Sequence, residues 1–183
     1  MIQIGKENTF IVSEQLPQGY WLTKDEEEVR LPNRLAPDGL AVGDEVVAFV
    51  YMDSEDEPIA TTETPYGKVG EFVTLSVVDT TPIGAFLDWG LEKDLLLPFK
   101  EMESQPEVDD LVVVFITIHE KTNRLVASMR LNRWFDYEIE EVRIFQPVEL
   151  LVYGYNQTGT MVVVDGKYRG LLYYNEVFER LRI

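Results

Sequence analysis

Short runs of alternating apolar and polar residues, separated by turn residues, recur along this chain. The longest runs from Phe72 to Thr80 and has apolar residues at Val73, Leu75 and Val77. A period of two buries one face of a strand and exposes the other. Because the runs are short and closely spaced, with turns between them, they predict an all-β fold.

One segment, from Gly84 to Pro98, shows this organisation most clearly. It reads as two strands joined by the polar turn Gly90 to Asp94. Gly84 stands where a strand must bend or where another backbone approaches closely. Weaker copies of this pattern occur once before and once after the segment, which indicates an internal repeat.

The repeat extends over five corresponding segments of the first and second copies. Matching residues keep a nearly constant offset, as in Gly19 and Gly84 (65 positions), Val42 and Val108 (66 positions) and Ala60 and Ala127 (67 positions). Each copy has five predicted strands, with a helical turn between the third and the fourth. That order is typical of the OB-fold barrel.

The third copy is predicted to be incomplete. Strands are predicted at 148–155, 159–164 and 168–174, and residues 175–181 are expected to begin the connecting helix. No sequence remains for a fourth and fifth strand. The prediction is tandem five-stranded OB-fold barrels at 1–63 and 64–132, a linker helix at 133–146 and a partial third barrel at 147–183.

The distribution of charge is informative about binding partners. The net charge is −17, with −10 in residues 1–63, −5 in 64–132 and −2 in 133–183. This balance opposes tight binding of nucleic acid, because phosphate contacts require Lys and Arg. A polyanion is expected to contact the less acidic C-terminal part.

Composition also excludes several kinds of chemistry. The chain has no cysteine and a single histidine, His119, so neither a thiolate site nor a histidine metal cluster is expected. No catalytic residues stand out, and we expect no cofactor and no enzymatic activity. Neither a signal peptide nor a membrane-length apolar run is visible, which predicts a cytoplasmic protein without membrane contact.

Several motifs resemble a known RNA-binding module. These are Gly84-Ala85-Phe86-Leu87, the third-strand ending Leu96-Leu97-Pro98, Val108-Asp109-Asp110 and Arg124 to Ser128. Together they resemble the S-one-type (S1) RNA-binding domain, an OB-fold. Three longer stretches, 50–62, 84–99 and 170–178, resemble the conserved virulence factor B family of bacterial tandem S1 proteins. In that family a C-terminal winged helix follows three such domains, and this sequence ends before it.

The resemblance implies weak, salt-sensitive binding of single-stranded RNA and a role in bacterial gene regulation. It places Phe86 on the binding face and matches Arg124 to a basic residue of the fifth strand. Ile83 and Pro98 replace an aromatic and a histidine of the family pattern. Trp89 is the expected local substitute, and Trp21 and Met161 match Phe86 in the other copies. The expected RNA contacts are Trp21, Phe86, Trp89, Lys93, Arg124, Arg130, Lys167, Tyr168 and Arg169.

Alternative interpretations of these residues stay open. Phe86 and Trp89 are also compatible with barrel packing, and in a regular strand they face opposite ways. Lys167, Tyr168 and Arg169 are also compatible with an exposed hairpin tip. The alternative function is an acidic protein-interaction module that docks a basic partner or self-associates through the C-terminal edge of the incomplete barrel.

Overall fold

The computed structural model describes residues 1–138 and 143–176, and these residues form mainly short strands. In chain order the strands are β1 (Glu7–Leu16), β2 (Gly19–Lys24), β3 (Glu27–Pro32), β4 (Glu45–Met52), β5 (Pro58–Thr61), β6 (Phe72–Thr81), β7 (Gly84–Asp88), β8 (Leu95–Pro98), β9 (Leu111–Ile118), β10 (Leu125–Ser128), β11 (Leu150–Tyr155), β12 (Gly159–Val164) and β13 (Tyr168–Tyr173). Short 3₁₀ helices lie at Asn33–Leu35, Phe99–Glu101 and Leu131–Arg133. The predicted all-β class is confirmed.

The strands form two closed barrels and one open sheet. The first barrel has the order β1-β2-β3-β5-β4, the second β10-β8-β7-β6-β9, and the sheet β11-β12-β13. In the first barrel β1 pairs with both β2 and β4, and β3 meets β5 in parallel at Arg30 and Ile59. Two five-stranded barrels and a partial third one confirm the predicted fold.

Alternating burial explains why these segments fold as barrel strands. In β1, Phe10 and Val12 are 1% exposed, and in β7, Ala85 and Leu87 are fully buried. The residues between them are exposed or half-buried. These two strands therefore contribute every second side chain to a barrel interior, where burying a Leu or Phe stabilises the fold by about 1.5–3 kcal/mol.

The same irregularity occurs in the first strand of all three copies. The register of the ladder to the next strand shifts between Val12 and Glu14, between Val77 and Asp79, and between Val152 and Gly154. Such a bulge bends the strand and increases its twist, which a small barrel needs to close. The open sheet is therefore built on the same local plan as the two closed barrels.

A close approach of two backbones also recurs in each copy. A Cβ added to Gly19, Gly84 or Gly159 would collide with a carbonyl oxygen of the third strand, that of Leu31, Leu97 or Leu172 respectively. The expected close approach at Gly84 is thereby confirmed. Gly19 and Gly84 also have φ of +156° and +154°, which disfavours other residues.

The chain forms two compact units whose bounds differ from the predicted domains. One unit comprises residues 1–69, 89–95 and 117–126, and the other comprises 70–88, 96–116 and 127–183. Residues 89–95 and 117–126, which hold two turns of the second barrel and the strand ends beside them, therefore belong to the same unit as the first barrel.

In the second unit an aromatic cluster covers the outer face of β6 and β9. Phe72 and Phe115 lie opposite each other in that ladder, with ring centroids 4.9 Å apart. Phe135 stacks on Phe72 at 5.1 Å, and Trp134 stacks on Phe115 at 4.5 Å. Val163 of the open sheet joins the same core. The open sheet is therefore anchored by side chains that follow β10.

The predicted helices differ from the structure in extent. In the described parts of the predicted linker helix, 133–138 and 143–146, the only helical turn is the end of the 3₁₀ helix Leu131–Arg133, because Trp134 and Phe135 turn into the aromatic core. Residues 139–142 of that prediction, and 177–181 of the predicted C-terminal helix, lie outside the described residues. Strand β3 begins at Glu27, inside the acidic run of the sequence.

We expect Gly84→Ala to lower the free energy of unfolding by about 3 kcal/mol or more, because the added Cβ forces β7 and β8 apart. Urea denaturation followed by circular dichroism measures this. Gly43→Ala is the matched control: Gly43 has φ +96° with no atom within 4 Å of the added Cβ. This variant should lower the free energy of unfolding by only about 1–2 kcal/mol, through backbone strain alone. Equal losses for both variants would contradict the steric explanation.

Candidate nucleic-acid interface

The glycine of the second strand fixes an outward-facing position two residues later in each copy. Trp21, Phe86 and Met161 occupy this position, and all three are half-buried between deeply buried neighbours. Since side chains alternate along a strand, these residues lie on the outer face of their sheets. The structure therefore confirms the alternation that separates Phe86 from its inward-facing neighbours.

In the first barrel this position carries an aromatic beside a cation. Trp21 lies directly opposite Arg30 of β3 and opposite Glu14 of β1. Directly paired side chains on one face have Cβ atoms about 4.5–5.5 Å apart. The Arg30 side chain is 45% exposed, and its Nη2 lies 3.9 Å from an Asp53 carboxylate oxygen. An indole and a guanidinium thus share one solvent-accessible face.

The sequence predicts Trp21 as an RNA contact but does not single out Arg30. Residues 25–28 are all acidic, which is typical of a solvated loop and not of a strand, so the pattern around Arg30 does not predict a strand there. Val29 and Leu31 are buried, at 1% and 0% exposure, and Arg30 lies between them. That alternation is the signal from which Arg30 could have been found.

In the second barrel the same position is surrounded by acidic residues. Phe86 pairs with the exposed Asp79 of β6, and Asp88 follows two residues later on the same face of β7. Carboxylates beside the ring repel phosphates. The Phe86 face therefore offers a base-stacking surface with a less favourable charge than the Trp21 face.

Trp89 requires a correction, because it is only 2% exposed. Its ring meets Phe49 edge-on at 5.7 Å and Tyr51 at 6.2 Å between centroids, and its indole N–H donates to the Lys93 carbonyl. Burial raises the pKa of Tyr51 to about 12, as expected for a dry aromatic cluster. A nucleobase has no free face of Trp89 to stack on, so Trp89 is a packing residue.

Two of the cations predicted to contact RNA, Arg124 and Lys93, make contacts within the protein. The Arg124 guanidinium is ion-paired with Asp56 and donates to the Ser54 carbonyl at 3.3 Å. The Lys93 ammonium is buried, without a hydrogen-bond partner among the described residues. Burial and the nearby Arg124 charge lower the pKa of Lys93. Both groups face the hairpin tip of 53–57, which leaves them poorly placed for phosphates.

Other expected contacts lie at the surface. Arg130 donates through Nε to the Lys100 carbonyl at 2.7 Å. At the tip between β12 and β13, Lys167 and Arg169 are exposed, and the Lys167 Nζ lies 5.8 Å from the centre of the Tyr168 ring. The structure thus brings Lys167 and Tyr168 together as predicted, while their contact with RNA stays a prediction.

The described residues hold no group of three or more His, Asp or Glu side chains arranged to bind a metal ion. A separate finding concerns membranes: within 1–138 and 143–176, no helix has both the length and the apolar character to span a bilayer.

We expect Trp89→Ala to lower the free energy of unfolding by about 3–5 kcal/mol, because it removes a buried indole from an aromatic cluster. Chemical denaturation monitored by circular dichroism measures the loss. Trp21→Ala is the matched control, since Trp21 is half-exposed. It should lower the free energy of unfolding clearly less than Trp89→Ala does. A mild loss at Trp89 together with a large one at Trp21 would reverse the assignment of the two residues.

Comparison with known proteins places this geometry in a family. The S1 domain model matches residues 4–63 and 69–130, which correspond to the two barrels. The Bacillus subtilis (strain 168) protein YitL, which is described as uncharacterized, is 30% identical over 105 residues. These residues cover 57% of this chain and 35% of YitL. The chain thus spans about a third of the length of that relative.

A solved structure shows the same fold over nearly the whole chain. It is the crystal structure of a multidomain protein with nucleic acid binding domains from Streptococcus pneumoniae. The TM-score is 0.62 at 18% identity, with 98% of this chain and 66% of the streptococcal chain covered. S1 domains are nucleic-acid-binding modules of the OB-fold class. With two matched domains covering more than half of its length, this chain belongs to the S1 domain family.

Proposed function

We propose that this chain binds single-stranded RNA through the outer faces of its S1 barrels and contributes, without catalysis, to bacterial gene regulation. The observation that carries the proposal is the outward position shared by Trp21 and Phe86, on the second strand of each barrel. Base–aromatic stacking is the main attraction for single strands in OB-folds. The resemblance to the virulence factor B family supports the regulatory role.

The first barrel is the better-equipped of the two faces. Trp21 supplies the larger ring, and the directly opposite Arg30 supplies a cation for a phosphate or for a cation–π contact with a base. Both rings have a carboxylate opposite them on the first strand, Glu14 for Trp21 and Asp79 for Phe86, so Arg30 is what favours the Trp21 face. We therefore assign the stronger contact with RNA to the Trp21 face. The hairpin tip with Lys167, Tyr168 and Arg169 supplies additional phosphate contacts.

The overall acidity sets the strength of this binding. A net charge of −17 repels a polyanion at long range, so only a few local cations contribute to affinity. Each phosphate neutralised on a single strand contributes about −0.7 to the slope of log K against log salt. A small slope is therefore expected, with affinity that comes mainly from stacking.

We expect Trp21→Ala to weaken binding of a fluorescently labelled single-stranded RNA by about 1–3 kcal/mol, because one stacked base loses its platform. Phe86→Ala should cause a smaller loss, and Arg30→Ala should also reduce the salt dependence. Fluorescence anisotropy at two salt concentrations measures all three.

The matched control for these variants is Tyr137→Ala. Tyr137 is 67% exposed but lies outside the strands. Binding by this variant should equal that of the wild type. If Trp21→Ala and Phe86→Ala also leave the affinity unchanged, the outer faces of the barrels are not the RNA site.

A second candidate function follows from the open sheet. Each first strand of a closed barrel pairs on both sides, whereas β11 pairs only with β12 among the described residues. An available strand edge is a site for strand addition by a protein partner. Sedimentation distinguishes self-association from RNA binding. If a second copy adds a strand to this edge, the sedimentation coefficient of the protein alone depends on protein concentration.

A further inference from the structure

A backbone hydrogen bond recurs at the end of the third strand in all three copies. The N–H of the residue that follows this strand donates to the carbonyl of the residue just before the second-strand glycine. The pairs are Asn33 and Gln18 at 3.1 Å, Phe99 and Ile83 at 3.3 Å, and Tyr174 and Thr158 at 3.2 Å. The backbone therefore holds equivalent positions in the three copies, and Asn33 also donates through Nδ2 to the Pro17 carbonyl at 2.8 Å.

In the second barrel this position places two large apolar side chains in solvent. Phe99 is 47% exposed and Ile83 is 62% exposed. The first barrel has Asn33 and Gln18 at the same places, and both are exposed. An apolar pair is therefore not required for the barrel to close, and its exposure opposes folding stability. A binding role explains why this surface is apolar.

The charges around Phe99 favour an anionic occupant. Lys100 is exposed, and the Arg130 Nε donates to the Lys100 carbonyl at 2.7 Å, which holds the guanidinium next to the turn. The carboxylate of Glu101, two residues after Phe99, accepts the Ser128 hydroxyl at 2.6 Å and lies 3.5 Å from Arg133. Two cations, Lys100 and the Arg130 bound to its carbonyl, therefore belong to the turn that begins with Phe99, in a chain with 33 acidic and 16 basic residues.

This surface lies at the start of β7, the strand that carries Phe86. Ile83 comes three residues before Phe86, and a strand rises about 3.3 Å per residue, so the two lie about 10 Å apart. Phe99 is adjacent to Ile83 through the backbone hydrogen bond. One single strand is therefore able to contact Phe86 and Phe99 together.

We propose that Phe99, with Lys100 and Arg130, forms a second base-stacking site at the end of the second barrel. A nucleobase of single-stranded nucleic acid stacks on the Phe99 ring, and the two cations contact the adjacent phosphates. This inference rests on the proposed function and adds a residue to its binding face. It also compensates for the acidic residues beside Phe86, because it places the cations near the start of the same strand.

The test uses single-stranded RNA that contains 2-aminopurine, whose fluorescence is quenched when the base stacks. Phe99→Leu keeps an apolar side chain but removes the aromatic face, and we expect it to weaken binding about 5- to 100-fold and to lose the quenching. Phe99→Tyr keeps a ring, as Tyr174 does in the third copy, and should bind like the wild type. Urea denaturation should be similar for all variants, because the hydrogen bond at this position is made by the backbone.

A gain-of-function variant gives an independent readout. Asn33→Phe introduces the ring at the equivalent position of the first barrel, where the recurrent hydrogen bond keeps the same backbone geometry. Tighter RNA binding and stronger quenching by this variant are expected. Unchanged binding by Phe99→Leu overturns the inference, and a gain by Asn33→Phe supports it.

The outcomes separate this inference from the proposed function. If the wild type binds RNA and Phe99→Leu binds equally well, the Phe99 site is wrong and the proposed function stands. If the wild type binds no RNA at low salt, the proposed function fails and the Phe99 site fails with it. If Phe99→Leu changes sedimentation instead of RNA binding, the patch is a protein contact and the inference is overturned.

Discussion

The close approach of the second and third strands is the constraint on which the rest of each copy depends. Only a glycine leaves room for the facing carbonyl at Gly19, Gly84 and Gly159. Once that contact is fixed, alternation along the strand determines which later side chains point inward and which point outward. The interior and the candidate binding face are therefore set by the same steric requirement.

Much of the fold could be predicted because the signals are local and repeated. The alternation of Val73, Leu75 and Val77 and the offset between Gly19 and Gly84 are both properties of the sequence itself. The start of β3 was missed because Glu27 has little preference for strands, and its place is decided by pairing with Lys24 on the neighbouring strand. Tertiary pairing thus overrides local propensity at this point.

The exposure of the candidate site residues is harder to predict from the sequence than the fold is, for a different reason. Trp89 was expected to stand in for a surface aromatic, yet it follows the end of β7 and packs against Phe49 and Tyr51. These two residues are about forty positions away in the chain. Arg124 is similarly paired with Asp56, 68 positions away. No local pattern reports partners at such separations, so the exposure of a single aromatic or cation is difficult to infer.

The bulge in β11 has a consequence for the order in which the chain folds. This strand keeps the bulge of a barrel strand and its neighbour β12 keeps the glycine contact, although the sheet β11-β12-β13 is open among the described residues. A three-strand meander therefore acquires its curvature from contacts between neighbours in sequence. Local contacts form faster than distant ones, because they close shorter loops. In each barrel we accordingly infer a nucleus made of the first three strands, onto which the last two strands are added.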